Sequence, residues 1–129
     1  MITLYGINNC DTVRKAKRWL DDNGVDVAVH DFRNHGLSRK LLLQWLHGIG
    51  AAVLLNKRST SWKQLPEATR VQIQAELENG LPQRGSLLID TLLLYPTLIK
   101  RPILQIPGHK PVVGFSAHQY AALRLQQNA

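Results

Sequence analysis

Leu4-Tyr5-Gly6-Ile7-Asn8-Asn9-Cys10-Asp11-Thr12 contains the only cysteine of the chain and reads as a strand, a tight polar turn and the first turn of a helix. A thiol at such a turn is presented at the carboxyl end of a strand, where open α/β sheets place their ligands. It also sits at a helix amino terminus, whose partial positive charge favours thiolate over thiol. Free cysteine is equally among the most frequently buried residue types, so position alone leaves core filler as the plain alternative.

Working outward, the apolar residues 2–5 form the strand, and residues 11–23 place Val13, Ala16 and Leu20 on one helical face. Arg14, Lys15, Lys17 and Arg18 occupy the remaining surface. Asn23-Gly24 supplies the left-handed stop that helix ends prefer, and Val25 to Phe32 alternates as a second strand. Strand, helix, strand is a βαβ unit and implies a parallel pair.

A chain of 129 residues suits one compact domain, able to bury about two thirds of its unfolded surface without disulfides or metals. One cysteine permits no intramolecular disulfide, and His30, His35, His47, His109 and His118 are scattered without zinc-site spacing, so no metal is expected. The amino terminus lacks a basic segment followed by a long apolar run, and the most apolar stretch, Ser86 to Ile99, is broken by Asp90 and Pro96. The expectation is a soluble cytoplasmic protein with no membrane contact. The net charge of +7 indicates attraction to anions. It is spread: residues 1–50 hold 7 basic and 5 acidic side chains, residues 51–129 hold 9 and 4. No basic run, helix-turn-helix or aromatic-basic motif accompanies it, which speaks against direct nucleic-acid binding.

Further along, Ser38 is placed to cap a helix burying Leu41, Leu42, Trp45, Leu46 and Ile49, which closes at Gly48 and Gly50. Val53 to Thr60 is an apolar stretch running into a polar, basic turn, with nothing that demands a strand. Pro66-Glu67 opens a surface helix to about Asn79, with Gly80 at its end. Gly85 to Tyr95 is apolar on almost every side and reads as a buried helix ended by Pro96, Asp90 being its one unexplained residue. Ile103 to Ile106 and Val112 to Phe115, joined by Pro107-Gly108-His109-Lys110-Pro111, form an antiparallel hairpin. Ser116 caps a last helix from Ala117 to about Gln126. The order βαβ, all-helical middle, ββα is that of an α/β thioredoxin-like fold: one domain, with a four-stranded mixed sheet built from about 1–35 and 97–129. The helical insertion then spans about 36–96.

Three blocks carry a resemblance that covers essentially the whole chain. They are Leu4 to Thr12 with Arg14-Lys15-Ala16; Leu54-Leu55-Asn56-Lys57-Arg58 followed by Trp62; and Ile99-Lys100-Arg101-Pro102 followed by Pro107-Gly108 and Gly114-Phe115-Ser116. In these the chain resembles the arsenate-reductase-like (ArsC-like) thioredoxin-fold proteins, which include glutaredoxin-coupled arsenate reductases and the regulator Spx, and it is most similar to their YffB branch. The resemblance implies a nucleophilic thiolate at Cys10 and oxyanion-binding arginines at Arg58 and Arg101. The arsenate reductases have a third basic residue in the later hairpin, where this chain offers only Lys110. Spx-type regulators have a second cysteine in a C-x-x-C pair, where this chain has Val13, so that built-in redox switch is absent.

The residues fit such chemistry. Arg58 and Arg101 are planar donor forks suited to a tetrahedral oxyanion or a carboxylate. Arg14, one turn beyond Cys10, is a cation able to depress its pKa. Asn8 and Asn9 shape the turn, and their amides can donate to an anion. The Arg101-Pro102 bond is the candidate for the cis proline that the resembling proteins hold against the active-site cysteine. The expected activity is a glutathione-dependent thiol oxidoreductase, with glutathione as co-substrate, glutaredoxin as a partner and an anionic or disulfide substrate. Lacking a second cysteine, the chain must form a mixed disulfide with an outside thiol. The alternatives are an Spx-like binder of a protein partner, without enzymatic activity, and a genuine arsenate reductase.

Overall fold

Apolar alternation in the first residues sets the sheet. The computed structural model describes residues 1–7, 10–80 and 86–125, and in it β1 (Ile2–Gly6) buries every second residue. Helix α1 (Asp11–Asp22) buries Val13, Ala16 and Leu20, the three positions on its apolar face. It ends at Asn23, whose side-chain amide donates to the Trp19 carbonyl at 2.8 Å, and at Gly24, whose φ of +69° is readily adopted only by glycine. Strand β2 (Val27–Asp31) runs parallel to β1, with Leu4 opposite Val29.

The chain divides into two compact units, residues 1–36 with 101–129, and residues 37–100. In the first, β3 (Ile103–Gln105) lies antiparallel to β1 and β4 (Val112–Val113) antiparallel to β3, giving one mixed sheet in the order β2-β1-β3-β4. Helix α8 (Ala117–Ala122) starts at Ser116, whose hydroxyl accepts from the Gln119 N–H as its sequence position predicts; Gln126 lies outside the described residues. Ile2, Leu4, Ala16, Leu20, Leu104 and Tyr120 share a single apolar core. Trp19 and Phe115 meet the Tyr120 ring edge-on, with centroids 5.7 and 4.8 Å away, and burial pushes the Tyr120 phenol well above its ordinary pKa.

Strand β2 is shorter than the Val25 to Phe32 reading because its end is turned into a one-turn helix, α2 (Phe32–His35). The buried carboxylate of Asp31 accepts from the N–H groups of Arg33 and Asn34, and the Asp31 N–H donates to His35 Nδ1. These local bonds are stronger than the strand propensity of Phe32.

The second unit is helical: α3 (Arg39–Ile49), α4 (Ala51–Leu54), α5 (Thr60–Gln64), α6 (Glu67–Glu78) and α7 (Leu87–Leu94), followed by a 3₁₀ turn at Pro96–Leu98. Ser38, Ser59 and Ser86 cap α3, α5 and α7, each cap contributing about 1 kcal/mol. The short helices α4 and α5 escape a periodicity reading because neither is long enough to repeat an apolar face. Leu55 bridges Ile99, the Asn56 N–H donates to Leu98 O and the Lys100 N–H to Leu54 O, so residues 98–100 belong to this unit. Asp90 gains its reading here, as the ion-pair partner of Arg39 across α3 and α7. Both carboxylate oxygens of Glu76 accept from the first turn of α7, at Leu87 and Leu88. Helix α6 buries only Ile73 completely, as expected of a surface helix.

Gly6 sets how closely α1 can lie on β1. A Cβ built there would stand 2.6 Å from Val13 Cγ2, and a β-branched side chain cannot swing away. Gly6→Ala is therefore expected to destabilise the protein by about 1–3 kcal/mol, read as a lower urea midpoint with an unchanged slope.

Candidate active site

Strand directions bring the β1–α1 turn and the segment entering β3 to the same end of the sheet. Because β2 runs parallel to β1 and β3 antiparallel, the end of β1 at Gly6, the end of β2 at Asp31 and the start of β3 at Ile103 share one edge of the sheet. Cys10 follows β1 at this edge and Arg101 precedes β3, so residues 91 positions apart meet. The Arg101-Pro102 peptide bond is cis, and the Gly114 N–H donates to the Pro102 carbonyl at 2.8 Å, tying the segment to the exit of β4.

Cys10 occupies the N-cap of α1 in an extended conformation, φ −101° and ψ 121°. Its N–H donates to Ile7 O and its carbonyl accepts from the Arg14 N–H, which holds the residue rigidly between strand and helix. The side chain is half-buried against the apolar core. That burial alone pushes the thiol up; the Val13 N–H, the hydrogen bond and charge of Arg101, and the Thr12 N–H outweigh it, and the thiol ends below its ordinary pKa. As a thiol, Cys10 makes no side-chain cap hydrogen bond. Ionised, it becomes the anion that the free N–H groups of the first turn accommodate.

The other sequence-predicted residues fall in different places. Asn8 and Asn9 lie outside the described residues. The guanidinium of Arg14 bonds the Asp11 carboxylate, and the cation acting on the sulfur is Arg101. Lys110 is exposed in the turn after β3, beyond Gln105 and therefore at the sheet end opposite to Cys10. Arg58 belongs to the helical unit, exposed on the turn before α5, where its N–H donates to Asn56 Oδ1. The contribution of the Thr12 and Val13 amides goes unnamed in a reading by side-chain type, although the N-cap position of Cys10 already carries that signal. No group of three or more His, Cys, Asp or Glu able to hold a metal occurs among the described residues, and none of the described helices is long and apolar enough to cross a membrane.

A mixed four-stranded sheet with a lone, acidified thiol at the β1–α1 turn and a cis proline before β3 defines a thioredoxin-like protein. Residues 5–123 match the model of the ArsC family, and the chain belongs to that family. An uncharacterized protein of Haemophilus influenzae is 43% identical over 122 residues, covering 95% of this chain and 97% of its own length. The solved structure of a YffB protein is 34% identical with a TM-score of 0.80, covering 95% of this chain and 97% of that one. That of an arsenate reductase (ArsC) related protein from Brucella melitensis is 36% identical with a TM-score of 0.68, covering 94% and 92%.

Alkylation of Cys10 by iodoacetamide is expected to rise with pH through a midpoint below that of a free thiol, since only the thiolate reacts. In Arg101→Ala the midpoint moves up, because a cation and a hydrogen bond to the anionic form are both lost.

Proposed function

We propose that the protein is a glutathione-dependent thiol oxidoreductase in which Cys10 is the nucleophile and Arg101 binds the negative charge of the substrate. The observation that carries this reading is the acidified, half-exposed Cys10 with a guanidinium on its sulfur. Kinship with an arsenate reductase related protein supports the choice of substrate class.

The thiolate attacks an oxidised centre, forming a Cys10–substrate bond. A disulfide substrate releases a thiolate; an oxyanion releases hydroxide, which leaves as water on protonation. Glutathione then attacks the adduct. Over a full cycle two glutathione thiols become one glutathione disulfide, and the substrate gains the two electrons. Because Cys10 is the only cysteine, resolution by an intramolecular thiol is impossible. Glutaredoxin is the natural reductant of a Cys10–glutathione disulfide. Arg101 contributes twice: it keeps the leaving and attacking sulfur anionic, and it neutralises charge on the bound anion.

The experiment is turnover of arsenate, and of a glutathione mixed disulfide, with glutathione and glutaredoxin. Wild type should reduce at least one of them, and Cys10→Ser should reduce neither. Undiminished activity in Cys10→Ser, or inactivity of wild type towards both, contradicts the reading.

A further inference from the structure

Arg14 stands one helical turn beyond Cys10 with its guanidinium engaged elsewhere. Its N–H donates to the Cys10 carbonyl, so the two residues stand one helical turn apart on the same face of α1. A long side chain on a helix leans back towards the amino terminus, which puts both residue i−4, Cys10, and residue i−3, Asp11, within the sweep of the guanidinium. The structure shows which of them has it: Arg14 Nη2 bonds Asp11 Oδ1. Both side chains are exposed, 61% for Arg14 and 78% for Asp11, so neither is fixed by surrounding core. Asp11 is the partner that the structure shows on the cation.

We propose that Asp11 is a positioning residue that holds Arg14 off the Cys10 sulfur and thereby restrains the reactivity of the thiol. Two segments adjoining Cys10 carry charged residues. From the segment leading into β3, Arg101 touches the sulfur. From α1 come Asp11 at the first helical position and Arg14 a turn later, with Lys15 and Lys17 following along the helix and Lys17 itself bonded to Asp21. Asp11 opposes thiolate formation in two ways. Its carboxylate is in the first turn of α1, where it shares the helix's N-terminal potential with a thiolate at the N-cap, and it withholds a second guanidinium. A second guanidinium makes more thiolate, each molecule less nucleophilic. The pair therefore sets a balance between the two.

The inference rests on Cys10 being the reactive thiol, but its readout is alkylation and needs no substrate. Rates of iodoacetamide labelling are measured across pH for wild type, Asp11→Asn, Asp11→Glu, Arg14→Gln and the double variant Asp11→Asn with Arg14→Gln. Asp11→Asn is expected to label about 3–10 times faster below the wild-type midpoint, equivalent to a fall of half a unit to one unit in the thiol pKa. The double variant is expected to return most of the way to wild type, and Asp11→Glu, which keeps the carboxylate within reach of Arg14, to match wild type. The acceleration should shrink at high salt, because the charges are exposed. Asp11→Ser serves as a second carboxylate deletion, and circular dichroism melting confirms folding. Unchanged labelling in both carboxylate deletions overturns the proposal. So does full acceleration surviving in the double variant, since Asp11 would then act by its own charge with no part for Arg14. Reducing activity that persists in Cys10→Ser would sink the functional reading separately, while the labelling series still decides this one.

Discussion

The sheet unit depends on how closely α1 lies on β1. Gly6 leaves no room for a side chain beneath Val13, so the first turn of α1 packs closely on the end of the strand. Val13, Ala16 and Leu20 can then reach the same core as Ile2 and Leu4. The consequence for chemistry is immediate, because the N–H groups of Thr12 and Val13 belong to this first turn and are two of the groups that lower the Cys10 pKa. A helix pushed outward by even one methyl group would take its free N–H groups with it.

Chain reversal supplies the remaining cation. The antiparallel entry of β3 beside β1 returns the chain to the sheet end where the thiol stands, and Arg101 lies two residues before that entry. The topology thus converts a distant arginine into a neighbour, while Arg14, close in sequence and one turn away, is engaged by Asp11. Sequence proximity and electrostatic proximity part company at this site, and the local acid decides the difference.

Much of this was legible in the residues. The spacing of Val13, Ala16 and Leu20 identifies α1 and its buried face; Asn23-Gly24 marks its stop; Ser38 and Ser116 mark two helix starts; and the Pro107 to Pro111 segment marks the hairpin. These are local signals, each encoded within a turn or two of chain. What was not legible is set by partners far away in sequence or by competition between neighbours. The one-turn helices α2, α4 and α5 are too short to show a period. Asp90 needs Arg39, and the start of α7 needs Glu76, eleven and twelve residues before the amides it receives. Lys110 could be aligned with a family position by order along the chain, but the direction of β3 carries it to the far end of the sheet. Within the candidate site, the cysteine and the Arg101-Pro102 segment were legible from motif, whereas the captivity of Arg14 required geometry.

The proposed chemistry makes Cys10 a monothiol nucleophile that must be resolved from outside. Its most direct test is the intact mass of the protein after incubation with oxidised glutathione and again after adding reduced glutaredoxin. One glutathione per chain is expected, located on Cys10 by peptide mapping and removed completely by glutaredoxin. A chain that takes up no glutathione, or an adduct that glutaredoxin cannot remove, would contradict it.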